Sequence, residues 1–198
     1  MTMTTALPDP ALDQLFRTAR SHYHYDATPV TDADLRAIWD LAKMGPTSAN
    51  MLPARIVWCT TDDAKRRLAD CASSGNVDKI LHAPVTAIVG TDLDFPDHLP
   101  TLFPPADARS WYVGNSALIE TAGLRNSSLQ AAYVILAARA LGFDTGPMSG
   151  FDNDKVDAAF FAGTNIRSNL IMSLGHGDPA ALHPRLPRPE FEAYNTVA

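Results

Sequence analysis

Cysteine is nearly absent: there are two in 198 residues, Cys59 in an apolar strand-like run and Cys71 on the apolar side of an expected helix. That scarcity excludes a disulfide framework, and both residues read as reduced core thiols. Long hydrophobic runs are missing too. The longest apolar stretch, 131–140, is broken by Arg139 and falls well short of the roughly 20 residues a membrane span requires. Positive charge is scarce, with 16 Lys and Arg against 22 Asp and Glu and a net charge of −6. Such a chain lacks the basic footprint of a phosphate-backbone binder, so neither DNA nor RNA is an expected partner. The opening residues, Met1 to Pro10, show no basic segment followed by an apolar one, so no secretory signal is expected and the cytoplasm is the expected compartment. Gly-x-Ser-x-Gly, Walker, Gly-x-Gly-x-x-Gly and His-Glu-x-x-His motifs are all absent. His22-x-His24 has no evident third ligand; no metal is expected, and the pair reads as surface histidines at a helix end.

What is present is a chain with 46% hydrophobic residues and a mean hydropathy of −0.08, enough for one domain spanning 1–198. Asp9 as N-cap and Pro10 at the first helical position announce a helix ending near Arg20-Ser21. Thr31 and Asp34 form a capping-box pattern before a helix over 31–44, which Gly45 and Pro46 stop. Arg55–Thr60 and Val85–Gly90 read as buried strands, with helices over 62–73 and Val77–Leu81 between them. Residues 91–112 are rich in Asp, Pro and aromatics, as either a lid or a surface excursion. A long helix over Ser116–Leu141 is apolar nearly all round, and such a helix must be buried. Gly142 ends it; strands follow at Phe143–Met148 and Ser168–Gly175. The tail, with Pro179, Pro184, Pro187 and Pro189, reads as an arm lying on a surface.

Four short polar segments stand out from this pattern: Ala19-Arg20-Ser21, Gly45-Pro46-Thr47-Ser48-Ala49-Asn50, Asn76-x-x-Lys79 and Gly146-Pro147-Met148-Ser149-Gly150. They supply a guanidinium, hydroxyls, an amide, an ammonium and a glycine-bounded backbone. That inventory suits a phosphorylated heteroaromatic ligand: arginine clamps phosphate in bidentate fashion, and Asn and Lys can meet a ring carbonyl and anionic charge. Taken alone, a Pro-Thr-Ser turn and a helix start remain the plainer readings of two of them.

In this order and at these separations, the segments resemble the nitroreductase family of FMN-dependent oxidoreductases, whose pattern runs Arg-Arg-Ser, Pro-Ser-Ser-x-Asn-x-Gln-Pro-Trp, Asn-x-x-Lys, a long central helix, a Pro-x-x-Gly turn and a basic C-terminal motif. The similarity covers about residues 12–195. It implies an α+β fold with a central, mainly antiparallel sheet flanked by helices, assembled as a homodimer with C-terminal arm exchange and two FMN at the interface. A two-fold partner would also cover the long apolar helix and the arm.

Carried over by position, the resemblance assigns Arg20 and Ser21 to the FMN phosphate and ribityl chain, with Arg185 or Arg188 completing the clamp where the family's Lys-x-Arg reads Arg-Leu-Pro-Arg. Asn76 and Lys79 would face the pyrimidine edge of the flavin, and the backbone of Pro147, Met148, Ser149 and Gly150 its N5 and O4; a family glutamate is Ser149 here. Pro46, Thr47, Ser48 and Asn50 would reach the partner subunit's flavin, while Leu52-Pro53-Ala54 replaces Gln-Pro-Trp. The implied reaction is ping-pong, with NADPH or NADH reducing the flavin at N5 before a carbonyl, nitro or quinone substrate takes its place. No side chain is a compelling catalytic acid.

Within the family, runs such as Ser-Ser-Gly-Asn, Asp-Ala-Arg-Ser-Trp and Asp-Thr-Gly-Pro-Met-Ser-Gly-Phe-Asp resemble members that reduce malonic semialdehyde to 3-hydroxypropionate in bacterial pyrimidine degradation. A broad nitroarene or quinone reductase and a non-catalytic flavin-binding module are the alternatives. For a carboxylate-bearing substrate the candidate cations are Arg109, beside Trp111 at the mouth, and Arg125, which would act with Asn126 and Ser127 on the long helix. Trp39 and Trp58 read as core packing.

Overall fold

The computed structural model describes residues 5–198; the opening stretch read for a secretory signal lies partly outside them. The chain begins with α1 (Asp9–Leu12), which widens into a π-helical turn over Asp13–Arg17. The helix starts at Asp9 itself, behind Pro8, and ends three residues before Arg20, earlier than the sequence led us to expect. The reason is local: Thr18 N donates to Asp13 O, closing a wide turn, and the chain then leaves as an extended segment.

Next come α2 (Asp32–Ala42), with the Thr31/Asp34 capping box formed, β1 (Ala54–Cys59), α3 (Asp62–Ala69) and α4 (Ser74–His82). Both short helices depart from expectation because Ala72 pairs with Phe151 and Ser73 N donates to Gly150 O, which ends α3 early and starts α4 early. They are followed by β2 (Val85–Asp92), α5 (Leu99–Leu102), α6 (Ser116–Ala140), β3 (Asp144–Met148), α7 (Asn153–Phe160), β4 (Ile166–Gly175) and, in the arm, α8 (Phe191–Tyr194). The sequence reading missed α7, although Asp152 caps it by accepting from Lys155 N.

The four strands pair antiparallel in the order β1-β2-β4-β3. Every residue of β2 is buried, because helices cover both faces of the sheet. On one face Val85, Met172 and Leu174 pack with Leu35 and Ile38 of α2 and Val134 and Ala138 of α6. On the other, Ile88 and Ile171 pack with Leu68, Ile80 and Val156 of α3, α4 and α7. Cys59 and Cys71 lie in this second cluster as free thiols, and burial pushes the Cys59 thiol up to about 11, which leaves it protonated and inert at neutral pH.

The excursion 91–112 is anchored at several points. Phe95, Leu99, Ala108 and Tyr112 are buried with Met51 and Ala122, and the Asp92 carboxylate meets Arg55 at 2.6 Å and His98 at 3.3 Å. α6 corrects the expectation of an all-round buried helix. Its inward face is small or polar, carrying Ala122, Gly123, Asn126, Ser127, Gln130 and Ala131, whereas Leu118, Leu124, Leu129 and Tyr133 are exposed. Trp39 and Trp58 are likewise only half-buried and line surface clefts along β1.

Between α2 and β1 the loop passes through three left-handed non-glycine residues, Ala49 (φ 47°), Asn50 (φ 50°) and Leu52 (φ 40°). Asn tolerates this region, but for Ala and Leu it costs about 1–2 kcal/mol each. Glycine elsewhere destabilises through chain entropy; at position 49 it also relieves that strain. Ala49→Gly is therefore expected to leave the melting temperature unchanged or to raise it by a few degrees, and a fall of about 4 °C or more in thermal unfolding would contradict the strain.

Candidate functional site

After Arg17 the chain runs extended along the outer edge of β3. His22 N donates to Thr145 O at 3.0 Å, Ser21 pairs with Thr145, and Tyr25 pairs with Gly177. The approach is possible only because residue 146 is glycine: a Cβ there would lie 2.0 Å from His22 O. The Tyr25 hydroxyl, whose pKa burial raises, donates to His22 O at 2.8 Å and meets Ser173 Oγ at 2.7 Å. His22 is thus not the surface histidine expected from sequence. It is 6% exposed, its Nε2 is 3.6 Å from Asp144, and its Nδ1 has no partner among the described residues.

This edge pairing delivers Arg20 and Ser21 to a cleft of about 500 Å³. Lys79 of α4 and Arg185 and Arg188 of the arm line the same cleft. Two bonds clasp the arm against the N-terminal segment: Arg20 Nη2 donates to His183 O, and Arg185 Nη2 donates to Ala19 O at 2.9 Å. Four basic side chains therefore converge from three separate stretches of a chain that is acidic overall, which makes the cleft a local well for an anion.

Asn76 does not itself line the cleft; it stands behind Lys79, which does. Asn76, in the first turn of α4, donates through Nδ2 to Gly150 O at 3.0 Å and accepts from Lys79 Nζ at 3.0 Å. Lys79 Nζ also sits 4.3 Å above the Tyr23 ring. A Cβ at Gly150 would meet Asn76 Nδ2 at 2.7 Å and push that amide from its place. Pro147, Met148, Ser149 and Gly150 do not line the cleft: Pro147 and Met148 belong to β3 with the Met148 side chain buried in the core, Ser149 is exposed, and Gly150 is linked to the cleft through Asn76 and Lys79. Tyr23, Leu182 and His183 line the cleft and were not anticipated. For Tyr23 the aromatic-rich run His22-Tyr23-His24-Tyr25, directly after Arg20-Ser21, was the available signal.

The other site residues lie elsewhere in the chain. Pro46, Thr47, Ser48 and Asn50 do not line the cleft; their loop rests on α6 and the excursion, with Ser48 N donating to Asn126 Oδ1 at 2.8 Å and Asn50 Nδ2 to Leu102 O at 2.9 Å. Arg109 pairs with Asp97 at 2.8 Å, and Trp111, 52% exposed, leans on Phe103. Arg125 is exposed on α6, but Asn126 and Ser127 point inward, Ser127 Oγ meeting Thr91 Oγ1 at 2.6 Å. The structure thus separates Arg125 from the two neighbours expected to act with it, because consecutive helical positions do not share a face.

This architecture and the clustered segments have close counterparts. The family model described as "Nitroreductase family" matches residues 16–176. A Burkholderia lata protein provisionally named NADH dehydrogenase/NAD(P)H nitroreductase is 62% identical over 188 residues, covering 95% of this chain and 96% of the relative. A Stenotrophomonas maltophilia protein of the same provisional name is 56% identical over 196 residues, 99% of this chain and 100% of its own. Among solved structures, an Exiguobacterium sibiricum nitroreductase in complex with FMN superposes with a TM-score of 0.83 at 21% identity, covering 99% of this chain and all of the other. With a family model matched over most of its length and relatives above 50% identity across nearly all of it, the chain belongs to the nitroreductase family.

Proposed function

We propose that this chain is an FMN-dependent NAD(P)H oxidoreductase. The observation that carries the reading is the cleft in which Arg20, Ser21, Lys79, Arg185 and Arg188 converge. Its donor set fits the cofactor: a dianionic phosphate needs charge-assisted clamps, and the arginines retain free N–H groups after bonding His183 O and Ala19 O. Arg20, Arg185 and Arg188 would hold the phosphate, and Ser21 the ribityl chain. Asn76 and Lys79, fixed by Gly150 and Tyr23, would meet the polar edge of the ring, where the ammonium favours negative charge. When bound, FMN supplies two-electron redox chemistry between NADPH or NADH and the acceptor. The protein's own part is to bind, orient and exclude water, which is how a side-chain set without a compelling acid serves such a reaction.

The assembly in this reading is a homodimer with exchanged arms. α6 leaves Leu118, Leu124, Leu129 and Tyr133 uncovered, and the arm carries exposed Leu186, Phe191, Tyr194 and Val197. Along the unpaired edge of β1, Trp39 and Trp58 line clefts of about 490 and 390 Å³ that such an arm would fill. The loop Pro46–Asn50, remote from its own chain's cleft, would then complete the partner's site.

For the acceptor, the chain's likeness to malonic semialdehyde reductases favours a short carboxylate-bearing semialdehyde, reduced to 3-hydroxypropionate. A broad nitroarene or quinone reductase is the second reading, favoured by the provisional names of the relatives. Arg109, on the excursion beside Trp111, is the candidate cation for the carboxylate once it exchanges Asp97 for substrate; its ion pair is solvent-exposed, so that exchange costs little.

Purified protein should be yellow and should bleach with NADPH or NADH under anaerobic conditions; colourless protein that takes up no FMN would refute the reading. Arg20→Ala and Arg185→Ala are each expected to weaken FMN retention in gel filtration by about ten- to a hundredfold, as for loss of a hydrogen bond to a charged group. Leu129→Glu, a charge set in the uncovered α6 face, should yield monomer in sedimentation with loss of bound FMN; a monomer that keeps both FMN and turnover would disprove the shared site. Arg109→Ala should cut kcat/KM for malonic semialdehyde by roughly 30- to 1000-fold and spare an uncharged quinone. Equal losses on both would show that Arg109 supports the fold instead of reading the carboxylate.

A further inference from the structure

Two buried amide side chains on α6 have no part in the core they occupy. Asn126 and Gln130 are 3% and 2% exposed and sit one helical turn apart on the same face, where apolar residues would pack without desolvating polar groups. Both reach out of the helix to the same stretch of chain. Asn126 Oδ1 accepts from Ser48 N at 2.8 Å, and Gln130 Oε1 accepts from Ala54 N at 2.8 Å. Asn126 is itself aimed by a bond from its Nδ2 to Ala122 O at 2.9 Å.

The stretch they hold is the one with left-handed backbone at Ala49, Asn50 and Leu52. Its own restraints are three local hydrogen bonds, Asn50 N to Thr47 O, Met51 N to Ser48 O, and Leu52 N to Thr47 Oγ1 at 3.2 Å. Strain of this kind persists only where the surroundings over-determine it. Here the tertiary restraints are the Asn126 and Gln130 amides, the wholly buried Met51 side chain, and the bond from Asn50 to Leu102 O on the excursion.

We infer that Asn126 is a positioning residue for the cofactor site of the other protomer: through Ser48 it fixes the strained loop Thr47–Leu52 in the form that completes that site. The inference rests on the proposed reading in which this loop meets the partner's FMN. Because Asn50 bonds Leu102 O, the same device sets the loop relative to the excursion that carries Arg109 and Trp111.

Asn126→Ser separates this role from general stability. A serine hydroxyl can replace the bond to Ala122 O, as Ser128 Oγ already bonds Leu124 O at 2.8 Å in the same helix, but it is too short to reach Ser48 N. Val134→Ala, on the same helix and in the core beneath it, is the matched destabilising control. The measurement is release of FMN from the loaded protein on dilution, followed by flavin fluorescence at equal margins below each variant's melting temperature. Asn126→Ser is expected to release FMN up to about tenfold faster than the parent, the size of one lost hydrogen bond, while Val134→Ala releases it at the parent rate. Asn126→Ala, which also loses the bond within the helix, should release it at least as fast as the serine variant. Parent-like release from Asn126→Ser, or equal acceleration by Val134→Ala, would overturn the inference while leaving the proposed function standing. A parent protein that binds no FMN would overturn both.

Discussion

The extended pairing of Ser21–Tyr25 against the edge of β3 is the constraint on which the cleft depends. It fixes where Arg20 emerges, and Arg20 and Arg185 then each spend a guanidinium bond on a carbonyl of the other's segment, tying the arm to the start of the chain. A guanidinium has five donors, so a bond to backbone aims it without exhausting it. The glycine at 146 is the steric permission for this arrangement, and the buried Tyr25 phenol secures it from beneath. Lys79 is brought to the opposite wall by α4, whose early start at Ser74 is set by the Gly150 carbonyl that also orients Asn76. Elements distant in sequence thus share one backbone oxygen as a reference point.

α6 plays the second organising part. Its inward stripe of small and polar residues lets it lie close to β2 and β4 while Asn126, Ser127 and Gln130 bond the loop, the strand and each other's neighbours. Its C-terminal end is fixed as well: Gln14 Nε2 donates to Arg139 O at 2.7 Å, and Arg139 Nη1 returns a bond to Leu15 O at 3.0 Å, so the C-terminus of α6 and the π-helical turn cap one another. The large apolar side chains are left for the outer face, where a single chain has nothing to cover them.

Much of the architecture was legible from periodicity and punctuation. The Thr31/Asp34 capping box, Gly142 after α6 and the β-branched runs of β1 and β2 are signals in which neighbours in sequence are also the partners in space. The four polar segments could be singled out for the same reason, and the structure brings Arg20, Ser21, Lys79 and the two arm arginines to one cleft. Less was legible where partners are remote. The bounds of α3 and α4 shift because Phe151 and Gly150 engage Ala72 and Ser73 between them, and His22 reads as a surface residue because nothing near it in sequence reveals that Asp144 and Gly177 enclose it.

The sequence by itself determined an acidic chain with a succession of helices and strands and a phosphate-suited set of polar segments, since these follow from composition and short-range pattern, while the α+β architecture was implied by the family resemblance. Only the tertiary structure decided which face of α6 is inside. Apolarity all round gives a helix no preferred side, so the choice fell to the close approach of small residues and to the hydrogen bonds that Asn126, Ser127 and Gln130 could make once the sheet was in place. It also decided that the loop at Ala49–Leu52 is strained, because left-handed backbone at Ala49 and Leu52 is imposed by remote contacts that no one-dimensional spacing encodes.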